Sequence, residues 1–191
     1  DIATTVSNDS GRARISFSPG RIEPNDDAFI STRKSLVGEF EFNNEKVYVI
    51  VNHFSSKRGD YPIFGDIQPP IYGSEPKRGR QAEIVNNFVK NILLIEPEAN
   101  IVMVGDYNDY QFSKTLEILK GAELYNMIDF LPVDERYSYI HNGYCQTLDH
   151  ILVSGGMLKR APKIDVVRCF TEIGYAEKSV FSDHEPLTSS F

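Results

Sequence analysis

Three of the four histidines in this chain sit beside a carboxylate or an amide at the margin of an apolar run. The runs read VYVIVNHF, NIVMVGDYND, QTLDHILVS and VFSDHEPL, and they carry Asn52-His53, Asp106-Tyr107-Asn108, Asp149-His150 and Asp183-His184. A short apolar run is strand text, and a polar cluster at its end falls at a sheet edge. Edges that converge would bring His, Asp and Asn to one pocket. Those groups suit metal-assisted phosphoryl chemistry. A carboxylate can activate water or contact a cation, and an amide or imidazole can donate to a phosphoryl oxygen.

Each cluster also has a plainer reading. Asp106 and Asn108 follow a buried run and Gly105, whose missing side chain lets the backbone turn closely. Asp106 is a candidate acid for activating water, and Asn108 for holding a phosphate oxygen or the attacking water. The same GDxN text makes ordinary turns. His184 can act as base or donor if a carboxylate fixes its other ring nitrogen, and Asp149 is the candidate partner. Ser-Asp-His equally caps helices. Alternation in LDHI points Leu148 and His150 one way, and Asp149 and Ile151 the other. An inward Asp149 must be paired, which His184 would do, leaving His150 to pack. His53 can donate to an oxygen whose charge grows in the transition state. A buried structural histidine is its alternative. His141 reads as a turn residue.

The elements that must position these groups follow from pattern. Residues 1–13 are polar and predict a frayed or poorly ordered start, with a short strand at 14–17. Strands at 36–42 and 47–54 flank Asn43-Asn44, which suits a tight hairpin turn. A long Gly/Pro/aromatic loop covers 55–74. A helix begins near Ser74-Glu75-Pro76 and carries the stripe Ile84, Val85, Phe88, Val89, Ile92 and Leu93. Next come a strand at 100–105, a helix at 113–120 closed by Gly121, and strands at 124–128, 137–144, 146–154, 164–170 and 179–181. Strands outnumber helices, which predicts an α+β domain with a mixed sheet and helices packed on one face.

A net charge of −7 excludes a grip on nucleic acid through overall charge. Phosphates must be met by a bound cation or a local patch drawn from Arg12, Arg14, Arg21, Arg33, Lys34, Lys57, Arg58, Lys77, Arg78 and Arg80. Any one of these also serves as an ordinary solvated charge. No apolar run approaches the roughly 20 residues that cross a bilayer, so no transmembrane segment is expected. Asp1 opens on polar text without a signal peptide or initiator Met, as expected of a processed form or a fragment. Cys145 and Cys169 could pair if their strands are neighbours, or remain buried thiols. Their spacing does not suit a structural zinc site.

In order, NHF, GDYND, LDHI and SDHEPL resemble the endonuclease/exonuclease/phosphatase superfamily, the DNase I-like group. It includes pancreatic deoxyribonuclease, abasic-site endonucleases, sphingomyelinases and inositol-polyphosphate phosphatases. The stretches SPGRI, STRKSLVGEF, NHFSSKRGD, FGDIQPP, SEPKRGRQAEIVNNFV, GDYNDYQFSKTLEILKG and DERYSYIHNGYCQTLDHILVS are similar to its secreted or surface-attached bacterial deoxyribonucleases. The resemblance covers 14–191.

The resemblance implies roles residue by residue. Asp106 activates the water, Asn108 positions phosphate or nucleophile, Asp149 orients His184, and His184 and His53 contact the scissile phosphate. Asp183 is a metal ligand, and Arg33 and Arg80 are candidates for substrate contact. It implies Mg²⁺, with Mn²⁺ or Ca²⁺ as alternatives, and an extracellular, cell-surface or periplasmic endonuclease acting on DNA rather than RNA by in-line attack of water. It also implies a four-layer α/β/β/α sandwich. The early strand-end Asn and the metal-binding Glu of that family have no match here. The chain is therefore expected to be the C-terminal half of one domain, 1–191, with one mixed sheet, packed helices and remnants of the other half. The absent N-terminal half or a second copy would cover the open sheet. The alternatives are a phosphoesterase acting on lipid or inositol phosphates, and an inert fragment or binding module.

Overall fold

The computed structural model describes residues 1–62, 65–141, 143–160, 162–168 and 182–191. Its centre is a six-stranded mixed sheet in the order β3-β4-β5-β6-β10-β7. These strands are β3 (Gly20–Arg21), β4 (Leu36–Phe42), β5 (Glu45–His53), β6 (Asn100–Asp106), β7 (Leu124–Asn126) and β10 (Asp149–Ser154). Asn43 and Asn44, both at positive φ, make the tight turn that joins β4 to β5. β5 and β6 are the parallel pair of this sheet. Parallel strands need a crossover, which the 55–74 loop and helix α1 (Glu75–Ile95) supply.

Alternation along the strands sorts the core into two faces. On one face Val37, Tyr48, Ile50, Ile101, Met103 and Leu152 are buried beneath α1, which contributes Val85, Phe88, Val89 and Ile92. Helix α2 (Lys114–Lys120) adds Leu116 and Leu119. Ser113 caps α2 by accepting from the Leu116 amide, and Gly121 closes it. The other face holds a smaller cluster of Met127, Ile151, Val153 and Met157, with Met157 on α3 (Gly155–Leu158). Further along that face the sheet is open: Val51 is 44% exposed and Phe40 56%.

The start of the chain differs from expectation. It folds as a hairpin of β1 (Val6–Asp9) and β2 (Arg12–Ile15). Ala13 is buried, its carbonyl accepts from Tyr48 Oη at 2.6 Å, and its amide donates to Glu96 Oε2 at 3.1 Å. The 124–128 strand is also shorter than predicted. It gives way to a 3₁₀ turn at Met127–Phe130 because the Asn126 side chain accepts from the Ile128 amide. The segment read as one strand at 137–144 is a small hairpin, β8 (Tyr139–His141) and β9 (Tyr144–Gln146), so His141 ends a strand rather than occupying the turn. β11 (Lys163–Val166), the described part of the strand expected at 164–170, pairs with β12 (Leu187–Ser190), a strand that no sequence pattern announced. The strand predicted at 179–181, the end of the one at 164–170, and Cys169 lie outside the described residues; Cys145 is exposed on β9.

Candidate active site

β5 and β6 run parallel and end at the same edge, where antiparallel β10 begins. Register places His53 opposite Asp106, and Asp106 opposite Asp149. Paired residues of adjacent strands share a face, so the three side chains form one row across the open side of the sheet. Gly105, one residue earlier, has φ +146°, and a Cβ there would lie 1.9 Å from the Asn52 carbonyl oxygen. The close approach of β5 to β6 at this edge therefore requires glycine. Gly105→Ala is expected to cost about 3 kcal/mol of folding stability, read as a shift of the urea midpoint. An unshifted midpoint would contradict the close packing of this edge.

Beyond Asp106 the chain turns sharply through Asn108, whose φ of 52° asparagine tolerates. The Asn108 amide donates to Asp106 Oδ1 at 2.8 Å. Its side-chain Nδ2 donates to Phe54 O at 3.1 Å and Asp106 Oδ2 at 3.3 Å. In this geometry Asn108 orients the Asp106 carboxylate and ties it to the end of β5. Burial is the first cause that pushes the Asp106 pKa up; the Asn108 amide opposes it, and the neighbouring Asp149 charge adds to it.

His184 reaches the row from the far end of the chain, fixed by a β-bridge to Tyr139. Its Nδ1 lies 2.6 Å from Asp149 Oδ2. The same oxygen accepts from Ser138 Oγ at 2.7 Å, and Ser138 Oγ accepts from the Asp149 amide at 3.1 Å. Asp149 thus holds the imidazole with Nδ1–H inward, and this hydrogen bond is the main cause raising the His184 pKa. His53 has the opposite setting. Burial lowers its pKa, and although Asp106 opposes this, Arg33 Nη1 lies 3.2 Å from Nε2, where it can donate only to a neutral ring. Two imidazoles pushed toward different protonation states can divide donor and acceptor tasks.

Asp106, Asp149 and His184 each offer a ligand atom within 4.8 Å of the others. Two carboxylates fit a hard cation such as Mg²⁺, which takes one or two protein carboxylates and completes its shell with water and phosphate. Among the described residues this group contains no glutamate. Asp106 must be ionised to hold a cation, and its pKa is raised. Divalent-cation affinity, measured by calorimetry, is therefore expected to climb with pH through a range above the usual ~3.9 of aspartate. Affinity already constant from pH 4 upward would contradict this.

The remaining sequence candidates are placed differently. Asp183 is exposed and stands outside the Asp106–Asp149–His184 group: the bridge at His184 turns the imidazole inward and leaves its chain neighbour to solvent. Arg80 pairs with Asp26 Oδ2 at 2.9 Å and Glu83 Oε2 at 2.7 Å on the surface of α1, away from the row. Arg33 does reach the row, through His53. His150 is fully buried between Asn126 Nδ2 at 3.0 Å and Asp109 O at 2.9 Å, and packs against Tyr107. Ser138, which holds Asp149, carried no signal in its text, YSY. Arg78, grouped with surface cations by sequence, is 1% exposed and tied to Asp109 and Asp60.

A family model described as "Endonuclease/Exonuclease/phosphatase family" matches residues 1–177. No curated protein matches the chain. Among solved structures, truncated TDP2 of Caenorhabditis elegans superposes with a TM-score of 0.63 at 15% identity, over 97% of this chain and 66% of that one. TDP2 of D. rerio complexed with single strand DNA product gives 0.54 at 16% identity, over 83% and 62%. The human Nocturnin catalytic domain with bound sulfate gives 0.53 at 15%, over 84% and 54%. At these identities the likeness is one of fold. The chain spans between about half and two thirds of the length of the structures it matches.

Proposed function

The chain belongs to the endonuclease/exonuclease/phosphatase family, and from that premise we propose that it is a metal-dependent phosphodiesterase, an extracellular nuclease that hydrolyses DNA by in-line attack of water. The observation that carries this is the row His53, Asp106, Asp149 with His184 bonded to Asp149. A bound divalent cation would supply Lewis-acid stabilisation of phosphoryl charge, held by Asp106 and Asp149 rather than by Asp183. Asp106, oriented by Asn108, draws the proton from the attacking water. His184, whose pKa the bond to Asp149 raises, donates in its protonated form from Nε2 to a phosphate oxygen as its charge grows. Arg33, beside neutral His53, adds a second cationic contact for the substrate.

D. rerio TDP2 in complex with a single strand DNA product supports nucleic acid as the substrate class. The likeness of SPGRI and NHFSSKRGD to secreted bacterial deoxyribonucleases supports an extracellular place of action. Plasmid DNA, sphingomyelin and inositol phosphates offered in parallel to the full-length protein test the substrate. Turnover of the DNA is expected, and turnover of only the lipid or inositol phosphate would replace this assignment. The open sheet face around Val51 and Phe40 suits a second layer supplied by the rest of such a domain. Light scattering that finds the 191-residue chain to be a stable dimer would assign that face to a second copy instead.

A further inference from the structure

Two residues past Asn108 the chain presents a pair of aromatic rings that burial does not explain. Tyr110 and Phe112 are stacked, with centroids 5.3 Å apart and an interplanar angle of 15°. Phe112 is 79% exposed, so the ring at the end of the stack faces solvent. A lone exposed phenylalanine on a loose loop would carry little meaning. This one stands on a fixed turn. The Tyr110 amide donates to Asp109 Oδ1 at 3.2 Å, and the Tyr110 carbonyl accepts from the Ser113 amide at 2.9 Å. Ser113 caps α2, and buried Asp109 is held by Arg78 at 3.0 Å and Thr115 at 2.8 Å. Lys57 Nζ lies 3.3 Å from the Tyr110 ring centroid while paired with Asp109 Oδ1 at 3.4 Å, which braces the Tyr110 ring.

We propose that Phe112, backed by Tyr110, is a stacking platform for an unpaired nucleobase of a single-stranded substrate whose scissile phosphate lies at the Asp106–Asp149–His184 row. The proposal rests on the nuclease reading of that row. At 3.8 Å per residue, the Phe112 backbone lies within about 15 Å of Asn108. At ~3.4 Å per nucleotide, that places the stacked base no more than about four nucleotides from the cleaved bond. Every base has a π-face, so such a platform binds without reading sequence. A ring held in place before binding loses little freedom when the base arrives.

The test uses the full-length protein and three substrates: a single-stranded oligodeoxynucleotide, the same oligonucleotide with abasic residues flanking the cleavage position, and bis(p-nitrophenyl) phosphate. Phe112→Ala is expected to raise KM for the ordinary oligonucleotide about tenfold. It should leave kcat, the melting temperature and hydrolysis of the base-free diester unchanged. Phe112→Trp should keep the wild-type KM, and the abasic oligonucleotide should show the high KM with either enzyme. An unchanged KM in Phe112→Ala, while wild type cleaves the oligonucleotide, overturns the platform and leaves the nuclease reading standing. Equal losses on the oligonucleotide and the small diester also overturn it, because they place the effect at the catalytic row. Wild type that hydrolyses the diester but no oligonucleotide overturns the nuclease reading and the platform with it.

Discussion

His184→Ala and Asp106→Asn are each expected to lower phosphodiester turnover by the full-length protein about a thousandfold, with melting nearly unchanged. The size follows from where the two groups stand. His184 is positioned by one short bond to Asp149, which raises the imidazole pKa and aims the ring. Its removal takes away a donor at the place where phosphoryl charge develops, and water cannot replace it in the same geometry. Asp106 sits opposite Asp149 in the sheet register, half-buried, with its carboxylate fixed by two Asn108 donors. Asparagine keeps the shape and loses the base and the cation-binding charge. Because both residues serve one step, the double variant should lose little more than either single one. A double loss equal to the product of the single ones would separate their roles, and near-normal turnover in either single variant would remove that residue from the reaction.

Arg78→Met is expected to cost the fold about 3–5 kcal/mol. The guanidinium is buried beneath the active-site loop and binds on several sides. Nε donates to Asp109 Oδ2 at 3.0 Å, Nη2 to Asp60 Oδ2 at 3.4 Å, and Nη1 to Ser56 O at 3.4 Å and to Ser74 Oγ. Methionine fills part of the volume and leaves two buried carboxylates without their cation. Asp109 would keep Thr115, the Tyr110 amide and the more distant Lys57. Removing one partner of a buried pair costs more than the pair contributes, so Arg78→Met with Asp109→Asn should recover part of the loss. Urea unfolding measures both variants, and a single-variant loss below about 1 kcal/mol would show that the network is not holding the loop. Asp109 follows Asn108 and accepts from His150, so a loosened network is also expected to disturb the turn that aims Asp106.

The strand ends were legible because each polar cluster directly abuts its apolar run. Period-two alternation was enough to turn Asp149 toward His184 and His150 into the core, as the sheet register places them. Hairpin and helix boundaries at Asn43-Asn44 and Gly121 were legible from backbone chemistry that asparagine and glycine alone satisfy well. Arg78 was not legible. A cation in helix text reads as surface charge until Asp60 and Asp109, in two separate loops, are known to fold over it. Ser138 failed for the same reason: its value lies in a contact with Asp149 made across the β8–β9 hairpin. Where Asp183 would point was not legible, because adjacency to His184 in the chain says nothing of direction; Asp183 is exposed while His184 bonds Asp149.

Cleavage of labelled DNA by the full-length protein, followed with and without divalent cation, tests the central claim most directly. If the Asp106–Asp149–His184 row is a metal-dependent phosphodiester centre, cleavage appears with Mg²⁺ or Mn²⁺, stops with chelator and returns when the cation is restored. Cleavage that persists unchanged in chelator, or no phosphodiester hydrolysis with any of Mg²⁺, Mn²⁺ or Ca²⁺, would contradict it.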